Sequence, residues 1–117
     1  METPMHEYLT ITLTGRAPVR IRKADWPIVA KATAWNGKIE AQADRHSQLI
    51  VRQHADGRAV IYGVYTTLWQ GERDRRGGQL LQAGADLVSA IYAVAQAMEF
   101  DEDLAQRTIA DLPAVEI

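Results

Sequence analysis

The chain contains no cysteine. That absence excludes a disulfide framework, a thiol nucleophile and any thiolate metal site. No apolar run approaches the roughly 18 residues of a membrane span. The opening METPMHEY also lacks the apolar stretch of a signal peptide, so the chain reads as soluble and cytoplasmic, with no membrane partner. Its 117 residues suit a single domain, 1–117. A chain of 13.0 kDa buries about two-thirds of its unfolded surface, enough for a core without staples. A composition of 47% apolar and 24% charged residues is that of a globular protein, not a disordered one.

Charge says more when it is divided than when it is summed. The formal net charge is only −2, yet residues 1–78 carry 12 basic and 8 acidic side chains while 79–117 carry 1 and 7. Arginine supplies 10 of the 13 cations and binds carboxylate or phosphate through a planar, two-pronged group. A basic body with an acidic end can meet nucleic acid on one side and repel it on the other, or can simply keep the protein in solution. The overall balance is far from that of a dedicated nucleic-acid binder.

Local patterns set the expected elements. Tyr8 to Thr14 alternates, with Leu9, Ile11 and Leu13 on one face, and Val19 to Arg22 reads as a second short strand. Asp25 as a cap and Pro27 in a first turn predict a helix ending at Asn36-Gly37, its inner stripe Trp26, Val29, Ala30 and Thr33. Alternation at Lys38–Asp44 predicts a strand with Ile39, Ala41 and Ala43 inward. Strands at 48–54 and 58–68 flank Ala55-Asp56-Gly57, a hairpin signal with two competing registers. A two-residue turn pairs Val51 with Tyr62; a three-residue turn with a bulge at Gly57 pairs Val51 with Ile61. Residues 70–78, QGERDRRGG, read as a charged loop and Leu80-Leu81 as a brief strand. A helix follows over about 85–98, where Leu87, Ile91, Val94, Ala95 and Met98 form one stripe. Asp101 caps a last helix that Pro113 ends. The resulting order, ββαβββαα, is an α+β fold: an antiparallel sheet of about five strands with helices packed on one face.

No constellation carries obvious chemistry. His46 and His54 lie near Asp44 and Asp56, but no second spaced pair completes a metal shell, and neither a metal nor a cofactor is expected. Asp44, His46 and Ser47 are too close on one extended segment to form a relay. Asp101, Glu102 and Asp103 sit where a helix dipole favours acidic side chains, and they also form a second candidate surface able to compete with nucleic acid for a basic groove. What remains is an arginine and aromatic set: Arg52, His54, Arg58, Trp69, Arg73, Arg75 and Arg76, with Tyr62 beside them in one register. These residue types anchor protein interfaces and also stack bases and neutralise phosphates. Trp69 fits either a core or a surface role.

Three segments, TLTGRAPVRI at 12–21, RQHADGRAVIYG at 52–63 and IADLPA at 109–114, resemble small uncharacterised proteobacterial proteins carried on prophages and other mobile elements. The resemblance covers about a quarter of the chain and carries no catalytic signature. It implies an inhibitor of host defence, of the anti-CRISPR kind, acting by surface occlusion. The expected function is therefore a non-catalytic module with a protein partner. Direct nucleic-acid binding through the same arginines and a small hydrolase-like site at His54 with Asp44 or Asp56 are the alternatives. A homodimer through an uncapped edge strand or the alanine face of the 85–98 helix (Ala90, Ala93, Ala97) is compatible with all three.

Overall fold

A computed structural model describes residues 7–114. Strands β1 (Tyr8–Ile11) and β2 (Val19–Arg22) pair as an antiparallel ribbon. Strands β3 (Ile28–Trp35), β4 (Arg45–Gln53), β5 (Ala59–Thr67) and β6 (Arg75–Leu81) form an antiparallel sheet in sequential order. Helices α1 (Leu87–Ala97) and α2 (Glu102–Ala110) complete the fold. The α+β class and the antiparallel sheet agree with the sequence reading, with six strands in place of about five.

The sheet is covered on both faces. Leu49, Val51 and Ile61 point to the helices and join Ile91, Val94, Met98 and Leu104 in one core. Ile50, Val60 and Tyr62 point the other way, against Ile11, Leu13, Ile21 and Trp26 of the ribbon segment. Consecutive residues are buried on β4 and β5 because both strands lie between two layers. The hairpin adopts the register Val51↔Ile61, with His54 and Arg58 closing a three-residue turn and Gly57 at φ +95°. Only glycine takes that conformation without cost.

Two expectations fail. The helix expected at 25–36 is strand β3, so the observed order is ββββββαα. Pro27 has no N–H to lose at a strand start, and its carbonyl accepts a bond from the Gln53 N–H at 3.1 Å. Beyond it Ala30, Ala32 and Ala34 alternate toward the helices, and their small side chains let α2 lie close. The strand expected at 38–44 is a loop holding a 3-10 turn, Glu40–Gln42, with Ala43 buried and Ile39 exposed. The Asn36 side chain causes this: its Oδ1 accepts the N–H groups of Asp44 at 3.0 Å and Arg45 at 2.8 Å, closing the loop on itself.

The glycine-rich loop expected at 70–78 is shorter than its composition suggests, because Gly77 and Gly78 belong to β6. A Cβ on Gly78 would stand 2.5 Å from the Ile61 carbonyl oxygen, so only glycine permits this pairing. Both edges of the sheet are blunted. The Thr14 N–H bonds the Gly78 carbonyl at 2.9 Å on β6, while Asp111 Oδ2 accepts from the Lys31 N–H at 2.9 Å and Arg107 donates to the Thr33 carbonyl at 3.0 Å on β3. Edge groups engaged this way are poor templates for a second chain.

Helix α1 carries the expected stripe. Asp86 caps it, accepting from the Ser89 N–H at 3.2 Å and from its hydroxyl at 2.7 Å. It ends in a Schellman motif, Phe100 N–H to the Ala95 carbonyl and Glu99 N–H to that of Gln96, with Glu99 at φ +60°. Ala90 of the alanine face is buried. Among the described residues no helix is long and apolar enough to cross a membrane.

Candidate interaction surfaces

The arginine and aromatic residues singled out in the sequence do not share one surface. Arg58 and His54 flank the β4–β5 turn; Trp69 and Arg73 follow the other end of β5, and Arg75 and Arg76 open β6. Eight residue steps of strand, roughly 27 Å, separate the two groups. Arg52 is corrected from partner surface to interior. It is 9% exposed, donating from Nε to the Tyr62 hydroxyl at 2.9 Å and from Nη1 to the Trp26 carbonyl at 3.0 Å. Tyr62 lies on the face of Arg52, as one register required, but the ribbon covers it.

At the hairpin tip Trp26 is the hub. The His54 ring lies 5.1 Å from it and the Arg58 guanidinium sits 5.1 Å over its face. Asp56 joins the two: its carboxylate accepts from the Arg58 N–H at 2.9 Å and Nε at 2.8 Å, and its backbone N–H donates to His54 Nδ1 at 3.1 Å. The Arg58 backbone bond, ahead of its guanidinium, lowers the Asp56 carboxyl below the ordinary aspartate value. Asp44, the other partner considered for His54, lies at the opposite end of β4, where its carbonyl accepts from the Leu68 N–H at 2.8 Å. His54 does share a surface depression of about 430 Å³ with Asp25, but among the described residues no hydroxyl side chain lines it. His46 and Ser47 project to opposite faces of the sheet, as their adjacency demands. Among the described residues no three His, Asp or Glu side chains converge on a point that could hold a metal.

The acidic triplet opens α2 as expected. Asp103 bonds Arg107 at 3.0 Å one turn on and Glu102 accepts from Gln106 at 3.4 Å, whereas the Asp101 side chain makes no cap bond. The charge asymmetry of the sequence becomes a difference between layers. The stretch holding the ribbon carries Arg16, Arg20, Arg22 and Lys23 against Asp25, while the helical layer opposite carries Asp86, Glu99, Asp101, Glu102, Asp103 and Asp111 against Arg107.

The most organised polar cluster lies at the far end of the sheet, in the β5–β6 loop. Arg45 grips Glu72 with two bonds, Nε to Oε1 at 3.1 Å and Nη2 to Oε2 at 2.6 Å. Oε1 also accepts from the hydroxyls of Thr67 at 2.7 Å and Tyr65 at 3.1 Å. Arg45, then Thr67 and Tyr65, hold the Glu72 carboxyl at about 2, well below its ordinary 4.5. The Arg45 guanidinium stacks 4.4 Å over Trp69, and Arg75 sits 4.7 Å over Tyr65 while bonding Glu99 at 3.1 Å. Trp69 is thus a surface residue, 49% exposed, on a loop pinned from beneath.

Around this clamp the same end of the sheet exposes large apolar side chains. Leu68 is 83% exposed, Ile39 56% and Trp35 41%. Pairing puts Trp35 and Leu68 at one end of the sheet, since Trp35 opposes His46, which opposes Thr66, and Leu68 bonds back to Asp44. Ile39 lies in the β3–β4 loop, and Trp69 stacks on Arg45, whose side chain is on the face opposite His46. Trp35, Ile39 and Leu68 escape the sequence reading because Ile39 falls on the inner side of an expected strand, while Trp35 and Leu68 fall at the ends of an expected helix and strand where no contact role is read. The available signal was position, since Trp35 directly precedes Asn36-Gly37 and Leu68-Trp69 directly precedes a polar loop.

No known protein family, curated protein or solved structure matches the chain.

Proposed function

We propose that the protein is a non-catalytic binding module that inhibits a larger protein partner by covering part of its surface. Its contact face is the end of the four-stranded sheet carrying Trp35, Ile39, Leu68 and Trp69. The observation that carries this reading is the exposure of four large apolar side chains at one end of the sheet, beside a pinned loop. Grouped apolar exposure on a folded chain marks interaction sites, and tryptophan with arginine is the usual anchor chemistry. The Arg45–Glu72 grip fixes the loop before binding, which lowers the ordering cost of association. Arg73 and Arg75 form the charged rim; Arg58 and His54, at the other end of the sheet, stand outside the contact.

The resemblance at 12–21, 52–63 and 109–114 supports placing the module among mobile-element inhibitors of the anti-CRISPR kind. None of those segments includes an apolar contact residue, so the likeness bears on the scaffold and not on the contact face.

The test is affinity capture from a proteobacterial lysate at several salt concentrations, using wild type, L68S/W69A and R58A. Wild type and R58A retain the same partner, also at high salt because apolar burial is not screened, while L68S/W69A loses it. Loss in R58A with retention in L68S/W69A would move the contact to the hairpin tip. Capture of oligonucleotides alone, falling steeply with salt, would replace the reading with nucleic-acid binding.

A further inference from the structure

We propose that the cleft between the ribbon and the four-stranded sheet binds a small organic anion, a carboxylate or phosphate on a short apolar body. A cavity of about 250 Å³ opens there between β1 and the face of the sheet that carries Arg52 and Tyr62. Three cations line it, Lys23, Arg52 and Arg76, and no carboxylate does among the described residues. Leu9, Ile50 and Val64 supply an apolar wall. Such a mixture, apolar walls with a few convergent polar groups, is the general make-up of a small-molecule site.

The pairing pattern of the arginines supports the assignment. Arg45, Arg58, Arg75 and Arg107 each touch a carboxylate, respectively Glu72, Asp56, Glu99 and Asp103. Neither arginine lining the cavity touches one among the described residues. Arg52 is the telling case, because a buried cation without a counter-charge is costly. Its bonds to Tyr62 and Trp26 use Nε and Nη1 and fix the guanidinium in place, leaving Nη2 without an acceptor among the described residues. No side-chain nitrogen or oxygen is sealed away unpartnered among the described residues, so Nη2 keeps access, and Arg52 borders this cavity. A held guanidinium with a spare edge is suited to a carboxylate or phosphate oxygen. Arg76 and Lys23, both exposed, complete the positive rim. The apolar wall favours an organic anion over an inorganic one, and the site is independent of the contact face proposed above.

The test is a methyl NMR titration of the full chain with hexanoate, phenyl phosphate, hexanamide and inorganic phosphate. Hexanoate, phenyl phosphate or both shift the methyl signals of Leu9, Ile50 and Val64 saturably, and which one does so identifies the head group. Hexanamide, with the same chain and no charge, leaves them in place. R76Q weakens binding by about tenfold, the value of one charge-assisted bond, and leaves the urea midpoint unchanged because Arg76 is exposed. Equal shifts with hexanamide, affinity unchanged in R76Q, shifts by no organic anion, or binding of inorganic phosphate alone would each overturn the proposal.

Discussion

Replacing Arg52 with methionine separates a structural role from a surface one. Methionine keeps the length and apolar stem of the side chain and removes its donors, stranding the Tyr62 hydroxyl and the Trp26 carbonyl. Two bonds from a charged donor are worth about 1.5–3 kcal/mol each, and relief of the guanidinium's burial offsets part of that sum. The expected net loss is about 2–3 kcal/mol. Y62F alone removes one of these bonds and costs about 1.5–3 kcal/mol. In R52M/Y62F the stranded hydroxyl is gone, so the double variant falls short of the sum of the singles by about 1 kcal/mol. Urea unfolding followed by tryptophan fluorescence measures all three, with Trp26 in the affected layer. Stability of R52M within about 0.5 kcal/mol of wild type, the range of ordinary surface changes, together with strict additivity, would refute the interior role assigned to Arg52.

Two further outcomes follow from local geometry. Glu99 holds a left-handed conformation at the end of α1, where glycine has no Cβ penalty, and its ion pair with Arg75 is solvent-exposed. E99G therefore raises stability by roughly 0.5–1 kcal/mol in urea titration, and a loss would show that the pair outweighs the strain. The Glu72 carboxyl sits at about 2 in the folded protein against an ordinary 4.5, so its contribution to stability is whole above 4.5 and drains away as pH falls toward 2. Wild type thus exceeds E72Q at neutral pH and loses that margin between about pH 4.5 and 2; a margin constant across that window would contradict the clamp.

Much of the fold was legible because its signals were local. Ala55-Asp56-Gly57 identified the hairpin, the stripe from Leu87 to Met98 identified α1, and the alternation of Leu9, Ile11 and Leu13 identified the inward face of the ribbon segment. Strand β3 was misread for a physical reason. Alanine favours helices in isolation, and Asp25 before Pro27 imitates a helix start, yet the sheet edge selects small residues so that α2 can lie on them. The second covered face was also foreshadowed. The unbroken runs Leu49-Ile50-Val51 and Ala59-Val60-Ile61-Tyr62 carry no wet side, the pattern of a strand between two layers.

The site was harder to read than the fold. Arg52 looked like an exposed arginine because alternation gives a face, not what covers that face. The Arg45–Glu72 grip spans a hairpin and a loop, so no spacing rule reveals it. Of the exposed apolar side chains at that end of the sheet only Trp69 was singled out in the sequence, and Trp35 comes to the same end only through the pairing of β3 with β4 and β5.

The most direct test of the contact face is the affinity of wild type and L68S for the captured partner, measured by isothermal titration beside their urea midpoints. Burying a leucine is worth about 1.5–3 kcal/mol, so a side chain that is 83% exposed before binding brings about 1.2–2.5 kcal/mol, or roughly 8- to 70-fold in affinity. The account requires a loss in that range with an unchanged midpoint. An L68S affinity within twofold of wild type, on an intact fold, would contradict it.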